Sequence, residues 1–112
     1  MSSFEKFNKK EKLIARTVEI EESFYFILEK LSKETYDASI NKLVNASIET
    51  LIKDENIQTY ERTDNTRLTR TFLIRESLLN ELYKLKRKYS IPIYLLINIA
   101  VRNALIEEGL IQ

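Results

Sequence analysis

The groups able to do chemistry in this sequence are carboxylates, amines, guanidiniums and hydroxyls. The chain holds 18 Lys+Arg and 17 Asp+Glu among 112 residues, with no histidine and no cysteine. That removes imidazole bases, thiol nucleophiles, disulfides and zinc fingers. With Gly109 the only glycine, neither a Walker loop nor a dinucleotide-binding fingerprint can be written. Acids and lysines are plentiful, but none falls into a motif with catalytic spacing. The expectation is a protein without enzymatic activity, cofactor or metal.

What remains is two short polar–apolar alternations and three clusters of cations. Arg16-Thr17-Val18-Glu19-Ile20 alternates cleanly; Thr69-Arg70-Thr71-Phe72-Leu73-Ile74 does so less cleanly, because Leu73 breaks the pattern. Both are rich in β-branched or aromatic residues, which favour strands. Residues 3–16 carry five cations against two acids, from Lys6, Lys9, Lys10, Lys12 and Arg16. Residues 62–75 carry four against one, from Arg62, Arg67, Arg70 and Arg75. Lys84, Lys86, Arg87 and Lys88 form a third cluster, which reads as a solvated helical face, whereas residues 17–37 are acidic. The net charge of +1 therefore conceals a strongly uneven distribution.

Four amphipathic helices must position these segments. The first spans about Glu22 to Tyr36, with Phe24, Ile27, Leu28 and Leu31 inward. The second follows Ser39, a good N-cap, and ends near Lys53, with Ile40, Leu43, Val44, Ile48, Leu51 and Ile52 inward. The third spans about Arg75 to Tyr89, with Leu78, Leu79, Leu82, Leu85 and Tyr89 inward. The fourth starts near Pro92 and carries Ile93, Leu96, Ile97, Ala100, Val101, Ala104 and Leu105, with Gly109 as its C-terminal cap. The order strand, helix, helix, connector, strand, helix, helix is a duplication. At an offset of 54, Thr17-Val18-Glu19-Ile20 falls on Thr71-Phe72-Leu73-Ile74, and Glu22-Ser23 on Glu76-Ser77. At an offset of 53, Leu43-Val44-Asn45 falls on Leu96-Ile97-Asn98, which implies an extra residue near Tyr36-Asp37.

Strand, helix, helix in this order, with EES and RES at the first helix starts and LVNASIETL or LINIAVRNAL in the second helices, resembles the ribbon-helix-helix family, the Arc, MetJ and CopG type. The resemblance covers nearly the whole chain. It implies a mainly α domain with a short two-stranded antiparallel ribbon, in which two repeats form an intramolecular pseudo-dimer. The expected parts are a basic arm (1–13), a first repeat (14–53), a polar connector (54–66) and a second repeat (67–112). A lone unit would leave a bare strand edge and an unburied apolar face, so pairing strand 15–20 with strand 69–74 has a physical motive.

The family's ribbon enters the major groove of duplex DNA. Val18, Ile20, Phe72 and Ile74 must face the core, so the opposite parity turns outward. Thr17, Glu19, Thr69, Thr71 and Leu73 become the expected base-reading residues, with Ala15 the weakest candidate of that row. Threonine can donate, accept or touch a thymine methyl; glutamate can accept from cytosine; leucine makes only apolar contacts. Exposed threonine is also simply a good strand residue, and Leu73 also reads as a core residue at a bulge. Phosphate contacts are expected from Lys9, Lys10 and Lys12 in the arm, and from Arg16, Arg67 and Arg70 beside the strands, Arg16 and Arg70 turning outward at the strand starts. They are also expected at the second-helix starts, from Ser39 and Asn41 and from Tyr94. Pro92 removes a donor at the latter, where Ser90 is the alternative cap.

These expectations describe a sequence-specific binder of double-stranded DNA, a transcriptional repressor or autoregulator. The alternative is a plasmid accessory protein acting in partition or conjugative DNA transfer. Self-association on repeated sites and a protein partner in a plasmid or regulatory complex are compatible with either. An antitoxin is disfavoured because only residues 109–112 follow the last helix, and a plain helical oligomer would not need the two strands to pair. No segment reads as a signal peptide or a membrane span, so a cytoplasmic location without a membrane partner is expected.

Overall fold

The computed structural model describes residues 11–36, 38–62 and 66–112. Its elements are β1 (Leu13–Glu21), α1 (Glu22–Glu34), α2 (Ile40–Asp54), β2 (Arg67–Arg75), α3 (Glu76–Tyr89) and α4 (Ile93–Glu107). The architecture is mainly helical, with one two-stranded antiparallel sheet. Residue pairs run from Leu13↔Arg75 through Thr17↔Thr71 to Glu21↔Arg67. Both strands are longer than their alternating stretches suggest, because backbone pairing tolerates Leu13, Arg67 and Arg75 at the ends whatever their hydropathy.

The helix limits follow local chemistry. Ser39 caps α2, its hydroxyl accepting from the Lys42 N–H at 3.2 Å. At the far end of α4, Gly109 takes φ +74°, its N–H bonds to Ile106 O, and the Leu110 N–H bonds to Leu105 O. This pair of bonds is a Schellman closure, which needs a left-handed residue at that position. Ser90 does not cap α4. It ends α3 in the left-handed region, and Pro92 precedes α4 without a side-chain cap bond.

The core lies between the ribbon's underside and the four helices. Val18, Ile20, Phe72 and Ile74 supply the ribbon's share, as alternation predicts. Helix α4 is the most enclosed: Ile99 and Asn98 are buried as well as its expected stripe, while Ala104 is only half-buried. Tyr89 departs from expectation. It is exposed, and its hydroxyl donates to Glu55 at 2.7 Å beside the Lys88 ammonium at 2.9 Å. Lys88 and Tyr89 hold the Glu55 carboxyl below its ordinary pKa. The polar phenolic tip favours that exit. The connector also does more than span a gap: Ile57 and Tyr60 pack against the core, and Tyr60 meets Phe24 with ring centroids 5.8 Å apart. No single helix among the described residues is long and apolar enough to cross a membrane.

Candidate nucleic-acid interface

The outward row of the ribbon consists of Ala15, Thr17 and Glu19 on β1 and Thr69, Thr71 and Leu73 on β2, and all six are exposed. Leu73 is therefore not a core residue at a bulge; it stands 40% exposed on the outer face. The Thr17 and Thr71 hydroxyls meet at the ribbon's centre, 2.7 Å apart. Each hydroxyl keeps further lone-pair capacity toward solvent.

Two buried asparagines hold the ribbon's outer backbone edges. Asn45 on α2 donates from Nδ2 to Leu73 O at 2.8 Å and accepts from the Arg75 N–H at 2.9 Å. Asn98 on α4 donates to Glu19 O at 2.9 Å and accepts from the Glu21 N–H at 3.0 Å. Leu73 and Glu19 lie 54 positions apart, as do Arg75 and Glu21. Each asparagine also donates to the carbonyl one turn back, Asn41 O or Tyr94 O. A further matched pair links Glu22 N–H to Thr66 O and Glu76 N–H to Lys12 O, again 54 apart at both ends. In the sequence, Asn45 and Asn98 stand out only as landmarks of the repeat. Their position among apolar residues in LVNASI and LINIAV is the signal of a backbone-bonding role that the sequence offers.

The flanking groups are less alike. Asn41 is not a free polar tip, because its Oδ1 accepts from the Leu73 N–H at 3.1 Å. At the corresponding place on α4 stands Tyr94, half-buried, with the Arg67 guanidinium over its ring at 5.3 Å. Arg67 also bonds Glu21 at 3.1 Å and Glu19 at 3.4 Å. Glu21 is 2% exposed and takes a second guanidinium, Arg62 at 3.1 Å, and the Tyr60 hydroxyl at 3.2 Å. A buried carboxylate persists only with such pairing. Burial, and then the neighbouring Glu21 carboxylate, push the Tyr60 phenol far above its usual value.

Arg16 and Arg70 do not stand at strand starts, since β1 begins at Leu13 and β2 at Arg67. They sit half-buried on the inner parity, their guanidiniums over Tyr83 at 5.8 Å and Tyr25 at 4.8 Å. The buried Nε of Arg16 has no hydrogen-bond partner among the described residues. Arg75 pairs with Glu49 at 2.8 Å. Lys12 is exposed at the ribbon's start, next to Glu11, whose carboxylate accepts from the Ser77 N–H at 2.6 Å and so caps α3. Lys9 and Lys10 lie outside the described residues. A groove of about 430 Å³ opens between α2's start and the ribbon, with Leu13, Leu73 and Ala46 as its apolar part and Ser39, Lys42 and Arg75 at its polar margin. The arrangement offers hydrogen-bonding and apolar tips on a fixed ribbon, with cations around its rim. No group of metal-ligating side chains occurs among the described residues. No protein-family model, curated protein or solved structure matches this chain.

Proposed function

We propose that this chain is a tandem ribbon-helix-helix protein, a pseudo-dimer within one polypeptide, that lays its ribbon in the major groove of a specific duplex DNA and represses transcription there. One observation carries the reading. The ribbon's outer face is a solvent-exposed row of side chains suited to base edges, while the body holds its inner face and both backbone edges. A ribbon whose only exposed face is rigid loses little conformational freedom on binding. A two-stranded ribbon fits a major groove roughly 12 Å wide. The bonds of Asn45 and Asn98, repeated 53 residues apart on targets 54 apart, support the two-repeat interpretation.

The test is a binding selection from random duplexes, followed by footprinting, with the wild type and with Thr17→Ala plus Thr71→Ala. The wild type should enrich a defined site, and the double variant should lose at least about tenfold in affinity for it, as loss of one base contact predicts. Equal affinity of both proteins for that site, or no site enriched over random duplex, would refute ribbon reading.

A further inference from the structure

We propose that one chain reads a non-palindromic duplex in a single orientation, with a thymine-rich half facing Leu13, Ala15 and Leu73 and a cytosine-containing half facing Glu19. The proposal rests on the DNA-binding reading above and specifies its substrate. The pairing register divides the outer face at the Thr17–Thr71 contact. Toward the Leu13↔Arg75 end, the face is apolar: Leu13 is 52% exposed, Leu73 is 40% exposed, and Ala15 lies between them in the row. Arg75, which shares their parity, is drawn aside to Glu49. Toward the Glu21↔Arg67 end, the face carries Glu19 and Thr69, with Arg67 against the Glu19 carboxylate.

The two ends present different chemistry on similar backbone supports. Asn45 holds the carbonyl of Leu73 just as Asn98 holds that of Glu19. An ionised carboxylate only accepts, so it favours the cytosine amino group and is repelled by guanine O6 and thymine O4. A leucine in the same place satisfies no base-edge donor or acceptor and gains most against a thymine methyl. A symmetric dimer must present one chemistry twice and therefore reads inverted repeats. This chain presents threonine on both sides of the centre and then diverges, glutamate against leucine.

The experiment is a selection from randomised duplexes with the full chain, Glu19→Leu and Leu73→Glu, after far-UV circular dichroism shows that the exposed substitutions keep the fold. The wild type should enrich a site with unlike halves. Glu19→Leu should make both halves thymine-rich, and Leu73→Glu should bring cytosine into the thymine-rich half. Each variant should lose roughly tenfold or more on the wild-type site. An inverted repeat of like halves for the wild type would overturn fixed orientation while leaving ribbon reading intact. A site unchanged by Glu19→Leu would overturn the pairing of Glu19 with cytosine. Enrichment of no duplex at all would sink the DNA-binding reading and this proposal together.

Discussion

Asn98 shows how one side chain can matter more than its size. It is 1% exposed and bonds two backbone groups of β1 and one of its own helix. Truncation would leave the Glu21 N–H and Glu19 carbonyl without these partners. We expect Asn98→Ala to cost about 2–6 kcal/mol, taking ~1–3 kcal/mol for each of the two backbone groups left unmade. Asn103→Ala, which removes one exposed bond to Asn56 O, should cost less than about 1 kcal/mol. Urea unfolding of the two variants checks the order; equal costs would show that the ribbon does not depend on Asn98. The residue scale was only partly legible in sequence. Alternation placed Thr17, Glu19, Thr69, Thr71 and Leu73 outward, because side-chain direction in a strand has a strict period of two. It did not reveal that Arg16 and Arg70 would lie over Tyr83 and Tyr25, because those rings come from elements distant in the chain.

At the scale of elements, carboxylates join pieces that local pattern treats as separate. Glu11 caps α3, and Glu55 joins the end of α2 to Lys88 and Tyr89. Hydrogen bonding to Ser77 depresses the Glu11 pKa, and Lys88, with Tyr89, depresses that of Glu55. A depressed carboxylate contributes stability in full above its ordinary value of 4.5, and that contribution is lost as pH falls through the folded value. Thermal unfolding from pH 6 downward should therefore show an acid loss that is smaller in Glu11→Gln plus Glu55→Gln. The connector's phenol has the opposite sign. Tyr60 is raised, so its contribution is full below 10.0 and lost as pH rises from there through the folded value. Tyr60→Phe should shrink the alkaline loss, and a curve unchanged above pH 10 would show that the connector is not docked through this group. The connector's polarity concealed its docking, since among its described residues only Ile57 and Tyr60 are hydrophobics packed against the core.

For the whole molecule, the charge distribution matters more than its sum. If the ribbon face meets duplex DNA, affinity should fall with salt, each phosphate contact contributing close to one unit to the log–log slope. Replacing exposed Lys12 by Ala should lower that slope by about one, whereas Lys84→Ala should leave it alone, because Lys84 pairs with Glu81 on α3. Measured slopes that agree within error would remove Lys12 from the interface. The element types, the six-element order and the inward strand faces are all legible along the linear chain. Those properties follow from hydrophobic period and capping chemistry, which act over a few residues. It takes the folded arrangement to show that Tyr89 leaves the core for Glu55, that Ser90 ends one helix without starting the next, and that Glu21 gathers Arg62, Arg67 and Tyr60. Such contacts join residues tens of positions apart, and their partners are chosen by packing and by the cost of leaving a buried charge or backbone group unpaired.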